Sequence, residues 1–262
     1  MIRLLILILL ILTITSQSSA YFGLYGTIEY QNKISRLYAP EAYLSSIYEK
    51  EKEAFYEQNP ILSEDQVYAP MAQHFKKKNL AEVAFYLAYK PAEKSFFTHL
   101  QAEELLKDLI EHPVVGRDGQ KLYADQSKTG FCFGRALYVE RKLHKAGVSK
   151  NLIRKVFVLG DLTNGRSLWD YHVATMVLTQ NAGWVLIDSL FNRVYGMRDW
   201  YGQLTSLAVD PAHPLMRLYI TESEKFQAAP GVFITSHIFN PVYKNYFFDL
   251  SVQTVLTAPL FN

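Results

Sequence analysis

The sequence has one cysteine, Cys132, in 262 residues. A single thiol excludes an intrachain disulfide. With no second cysteine or closely spaced histidine pair beside it, a cysteine-based zinc site has no support either. An excess of one charge is missing too: the formal net charge is +2, which gives no electrostatic pull toward nucleic acid or an anionic surface. Internal repeats and low-complexity tracts are absent, and no long apolar run follows the first twenty residues. What is present is a core-forming composition, with 14% aromatics and 18 tyrosines, far from that of a disordered chain.

The one long apolar run stands at the start, MIRLLILILLILTITSQSSA. Arg3 is a short basic lead, and the stretch from Leu4 to Ile14 is too short to cross a bilayer, which takes about 20 residues. Small residues at Ser18 and Ala20 suit cleavage after Ala20, so residues 1–20 are expected to be a signal peptide. The product is then secreted or periplasmic, with no stable membrane insertion. No cysteine follows the run, which excludes a lipoprotein anchor. Cleavage leaves 26 basic against 25 acidic residues, and roughly 240 residues to form one large domain or two small ones.

Residues 21–115 read as mostly helical. Apolar residues recur at helical spacing over Glu41–Glu57 and Leu80–Lys90, and after Pro91 over Ala92–Glu111. The cluster Lys76-Lys77-Lys78 reads as a solvated helix end. After a turn at Gly116–Gly119 the pattern changes. A helix over Phe131–Ala146, closed by Gly147, precedes β-rich runs at Lys155–Leu162, His172–Thr179 and Trp184–Phe191, with turn chemistry at Asn181-Ala182-Gly183. Beyond Asp199 the chain reads as loop-rich, with strands expected at Val232–Ser236 and Tyr246–Leu256. A helix followed by neighbouring antiparallel strands predicts an α+β fold.

An unpaired cysteine in an exported protein is either a small buried hydrophobe or a reactive thiol. Its place favours reactivity. Cys132 falls on the first turn of its predicted helix, where free N–H groups and the helix dipole stabilise a thiolate and can also donate to an oxyanion. Among seven histidines, His144 lies more than three turns along the same helix, and His74, His99 and His112 fall in the helical half, where they read as surface residues. His172, in the run Trp169-Asp170-Tyr171-His172-Val173-Ala174, is the one a strand could bring to the thiol.

Asp188, in an apolar strand where an unpartnered acid is costly, is the candidate to hold the imidazole; Asp161 and Asp170 are weaker. Register decides. Pairing Thr179 with Trp184 sets Asp188 opposite Thr175, on the face away from His172. Shifting by one sets Asp188 opposite Ala174 and makes it a diagonal neighbour of His172, about 7–8 Å away. The shifted register is expected, with an odd-numbered loop or a bulge near Gly183. Gln126, six residues before the thiol, is a candidate oxyanion donor. Trp169, Tyr171 and Trp184 are candidates to line a substrate groove. No cofactor or metal is called for.

Four local words carry a family resemblance. Cys132-Phe133-Gly134-Arg135-Ala136 resembles the C-x-x-R-A motif around the nucleophile of bacterial protein-glutaminases. Phe157-Val158-Leu159-Gly160-Asp161-Leu162 is similar to their following strand, Trp169-Asp170-Tyr171-His172-Val173-Ala174 to their W-x-Y-H-V-A word, and Leu186-Ile187-Asp188-Ser189-Leu190-Phe191 to their I-D-P-S-L-F word. The words stand in one order, from Cys132 to Phe191. The chain departs from the family in having Ser189 where a proline stands and in lacking the family's disulfides. The resemblance implies a papain-like or transglutaminase-like core over residues 91–262 and a monomer that deamidates exposed glutamine side chains of proteins or peptides. It also implies a helical pro-region, here within residues 21–90. A thiol protease or transglutaminase-like acyltransferase would use the same three residues. A non-catalytic binding or inhibitor protein on this fold would instead bury Cys132 away from His172.

Overall fold

A computed structural model describes residues 40–116, 119, 131–163, 168–223, 246 and 249–250, with residues 40–43, 64 and 65 described in backbone only. Its elements are α1 (Pro40–Gln58), α2 (Glu64–Ala88), α3 (His99–Glu111), α4 (Cys132–Lys145), β1 (Ile153–Thr163), β2 (Leu168–Thr179), β3 (Gly183–Ile187), β4 (Tyr195–Gly196), α5 (Met197–Thr205) and β5 (Met216–Glu222). The strands form one antiparallel sheet in the order β4-β3-β2-β1-β5. The fold is α+β.

Both faces of the sheet are covered, which is why β1 and β2 read as near-continuous apolar runs rather than as alternating ones. One face carries Phe157, Leu159, Val173, Val177, Val185 and Ile187 and packs against α1, the first half of α2, α3 and α4. The other carries Val156, Val158, Ala174, Met176, Leu186 and Leu218 and packs against α5 and the end of α2. Between α4 and the sheet lies a buried polar group: Lys155 Nζ pairs with Glu140 at 2.7 Å, and both Lys155 and Thr175 donate to the Ala136 carbonyl at 2.7 Å. Helix α4 stops cleanly because Gly147 takes φ 79°. The Gly147 and Val148 N–H groups then return to the His144 and Leu143 carbonyls.

The largest departure from the sequence reading is α2. It runs 25 residues through Pro70, opened by a Ser63/Gln66 capping box, where only Leu80–Lys90 reads as helix. Val67, Met71 and Phe75 bury the turns around Pro70, so packing holds what propensity would break. Lys76–Lys78 thus lie inside a helix rather than at its end, and Lys78 bonds Glu51 of α1 at 2.7 Å. Helix α2 also closes the free edge of β5. The buried Asn79 amide donates to the Met216 carbonyl at 2.8 Å and accepts from the Leu218 N–H at 2.8 Å, much as a further strand would.

Farther on, α5 and β5 occupy a stretch read as loop. Tyr246, Asp249 and Leu250 are helical, against the strand expected there; Val232–Ser236 lies outside the described residues. His112 is buried, not at the surface: its Nδ1 accepts from the Val114 and Val115 N–H groups. Among the described residues no helix is long and apolar enough to cross a membrane.

Candidate active site

The hairpin register places the acid. β2 and β3 pair Thr179 with Gly183 and Thr175 with Ile187, around the three-residue loop Gln180–Ala182. Gly183, at φ 72°, supplies the left-handed turn residue that a three-residue hairpin needs. This is the shifted register: Asp188 leaves β3 level with Ala174, on the face that also carries His172. The acid closes its strand with an Asx turn, in which Oδ1 accepts from the Leu190 N–H at 3.1 Å. Its Oδ2 meets His172 Nε2 at 2.8 Å.

Because β3 stops at Ile187, the edge of β2 beyond Thr175 has no β3 partner. The first turn of α4, packed on the opposite face, reaches the imidazole across that gap. Cys132 is the first residue of the helix, after Phe131 as N-cap. It hydrogen-bonds to His172, and the Val173 backbone bonds the sulfur as well. With Nε2 held by Asp188, Nδ1 is the ring nitrogen left for the thiol. Cys132, His172 and Asp188 are 4%, 3% and 5% exposed, so the three form a chain of contacts shut off from solvent.

The electrostatics follow. Burial alone would push the Cys132 thiol up, but the hydrogen bond and charge of His172, the Arg135 charge and the Val173 backbone bring it below its ordinary value. Burial works against the His172 imidazolium. The charge and hydrogen bond of Asp188 outweigh it and, with the thiolate's contribution, raise the group to about 9. Burial likewise favours protonated Asp188, yet His172 and the N–H donors of Leu190 and Trp200 hold it below the usual carboxylate range. Each shift favours a thiolate–imidazolium pair backed by a carboxylate.

Gly134, in the same first turn, admits a close neighbour: a Cβ there would lie 2.3 Å from Tyr246 Oη. The Tyr246 ring also stacks on Phe131 with centroids 4.4 Å apart, packing Tyr246 onto the start of α4. Arg135 is buried as well.

The other expected site residues separate. Gln126 lies outside the described residues. Tyr171 is half-buried against the cluster that contains Cys132. Trp169 is half-buried on the opposite face. Trp184 is a correction: it belongs to the core and not to a groove. It is 4% exposed, donates from Nε1 to the Tyr89 carbonyl at 3.1 Å and stacks on the Tyr89 ring. The register explains this, since Trp184 pairs with Leu178, at the end of the hairpin away from Asp188. Asp161 and Asp170 are both exposed and take no part in the buried chain of contacts.

One site residue is missing from the sequence reading. Trp200 of α5 donates from Nε1 to Asp188 Oδ2 at 2.9 Å. Its signal is only indirect, as a tryptophan twelve residues beyond the acid in a stretch that reads as loop. Among the described residues no group of His, Cys, Asp or Glu is arranged to hold a metal ion.

No family model matches the chain, and neither a curated protein nor a solved structure matches it.

Proposed function

We propose that the chain is a secreted cysteine amidohydrolase with a papain-like core, which deamidates glutamine side chains in proteins or peptides. The observation that carries this reading is the buried contact chain: a thiol on the first turn of a helix, bonded to an imidazole whose second nitrogen is held by a carboxylate at 2.8 Å. A buried cysteine serving only as a hydrophobe has no use for such a partner. The non-catalytic alternative calls for Cys132 to be both buried and remote from His172; it is buried but not remote. The four sequence words around these residues favour glutamine carboxamide over other acyl substrates.

In this mechanism the Cys132 thiolate attacks the carboxamide carbon and the C=O electrons move onto oxygen. The tetrahedral oxyanion accepts from the Cys132 N–H on the first turn of α4. As the intermediate collapses, the C–N bond breaks, imidazolium His172 protonates the departing nitrogen, and ammonia leaves a thioester on Cys132. Neutral His172 then removes a proton from water, the hydroxide adds to the thioester, and the thiolate departs to give glutamate. Asp188 holds the imidazole throughout.

A protein substrate needs the thiol uncovered. Leu44 and Tyr48 of α1 and Val67, Met71 and Phe75 of α2 pack in the cluster that includes Cys132, so α1 and the first half of α2 act as a cover. The two helices are held differently. α2 is bonded into the β5 edge by Asn79 and shares the core beneath Trp184 through Val83 and Tyr86. The releasable part therefore ends in the linker before α2, at residues 59–63, where Ile61 is 93% exposed, and not at Pro91.

Ammonia release from a glutamine-rich protein, without peptide cleavage or amine incorporation, tests the assignment. Cleavage of the substrate backbone identifies a protease instead, and amine incorporation a transglutaminase-like acyltransferase.

A further inference from the structure

Asp188 Oδ2 accepts two donors, His172 Nε2 at 2.8 Å and Trp200 Nε1 at 2.9 Å, while Oδ1 accepts the Leu190 N–H at 3.1 Å. The three donors differ in what they can do. The imidazole gains and loses a proton and must turn toward thiol and leaving group. The Leu190 N–H fixes one oxygen only, which leaves the carboxylate to tilt about it. An indole N–H is a donor under all conditions and has no second site to offer. Among the described residues it is the one pH-independent partner on the oxygen that the imidazole uses.

The fold supplies that indole from a rigid place. Met197, Trp200, Tyr201 and Leu204 make a buried stripe on α5, and Trp200 itself is 0% exposed. The helix is tied at both sides. β4, immediately before it, pairs Gly196 with Val185 of β3, and the Tyr201 hydroxyl accepts from Asn79 of α2 at 3.1 Å. The indole ring lies 6.4 Å from the His172 ring, centroid to centroid, so it also walls the imidazole on its own side of the sheet. A phenylalanine would serve the apolar packing. The N–H, which a buried tryptophan must satisfy, is spent on the one carboxylate that the site depends on.

We propose that Trp200 is a positioning residue of the site, pinning the Asp188 carboxylate so that its Oδ2 stays on His172 and the Cys132–His172 pair stays ionised. This rests on the thiolate–imidazolium reading given above. A carboxylate free to tilt spends less time on the imidazole, and the ion pair loses population in favour of neutral thiol and neutral imidazole. Among the described residues the Arg135 charge also bears on the thiol, and the Trp200 substitution leaves it in place.

The test uses the chain's single cysteine. Thiolate ultraviolet absorbance, followed against pH in the full-length protein with a Cys132→Ser blank, reports Cys132 alone and needs no reagent to enter the buried site. Wild type is expected to show a thiolate well below the ordinary thiol range. Trp200→Phe is expected to move the appearance of the thiolate upward by about one pH unit, a tenfold loss of ion pair, and to lower kcat about tenfold with KM unchanged. A Trp200→Phe protein that melts earlier but keeps the wild-type thiolate midpoint overturns the proposal and makes Trp200 a core residue only. A wild type without a low-pH thiolate instead overturns the ion-pair reading on which the proposal stands. Should Trp200→Phe not fold, the indole N–H resonance of Trp200 in ¹⁵N-labelled wild type decides, assigned by elimination with Trp169→Phe and Trp184→Phe. It is expected to shift with the thiolate midpoint, and a resonance that stays still through that titration contradicts the proposal.

Discussion

Asp188 is the residue on which the site's charge depends, because it holds His172 protonated up to about 9. His172 starts from an ordinary value of 6.5, and a group raised on folding stabilises the folded state fully below its unfolded value. That contribution is lost as the pH climbs through about 9. The competent thiolate–imidazolium form ends at the same place, so activity is expected to have its alkaline limb near 9. In Asp188→Asn the amide removes the charge that raises His172. The limb is expected to move down toward the ordinary imidazole range, with kcat reduced by about 10²–10⁴-fold; a pH–rate profile measures both. An unmoved limb would show that the carboxylate does not govern the imidazole.

At this scale the sequence was informative wherever chemistry constrained placement. A lone thiol at a helix start asks for a base, and an acid in an apolar strand asks for a partner. The parity of a strand allows only one register that joins them. Trp200 was not legible, because its role depends on a helix that the sequence does not announce.

Among elements, α2 does more than its composition suggests. It opens against the cluster around Cys132, crosses the β5 edge through Asn79 and ends against Trp184 on the other face. Asn79→Leu would leave the Met216 carbonyl and the Leu218 N–H without their side-chain partner. At about 1–3 kcal/mol for each buried group left unpaired, the expected loss is about 2–6 kcal/mol. For a chain of this size that lowers the unfolding midpoint by about 4–24 °C, measurable by calorimetry; no change would mean that α2 does not hold the edge.

The strands β1, β2 and β3 were readable from their β-rich runs, and the end of α4 from its closing Gly147. Helix α5 was hidden because it is nine residues long and starts at Gly196 without a side-chain cap. β5 was hidden behind Pro211 and Pro214, whose turn character extends no further than the residue before Met216. Pro70 concealed the length of α2, since a proline in the second turn argues for a break unless packing is known.

Across the whole molecule, the buried Cys132 lies under α1 and α2, which are held unequally. α1 meets the core through Leu44, Tyr48 and the exchangeable ion pairs of Glu51 with Lys78 and Arg217. α2 is built into the sheet. Limited proteolysis is therefore expected to cut first within residues 59–63 and to leave a folded product that begins near α2, identified by mass spectrometry and thermal unfolding. A first cut near Pro91 that yields a stable core would contradict this division.

The central claim is that Cys132 is a nucleophile toward glutamine carboxamide. Ammonia release from casein by the wild-type chain and by Cys132→Ala, before and after that proteolysis, tests it most directly. Wild type is expected to release ammonia, more after cleavage than before, with the casein backbone intact and the Cys132→Ala protein inactive in both states. Equal ammonia release by the two proteins, or none from the cleaved and folded wild type, would contradict the account.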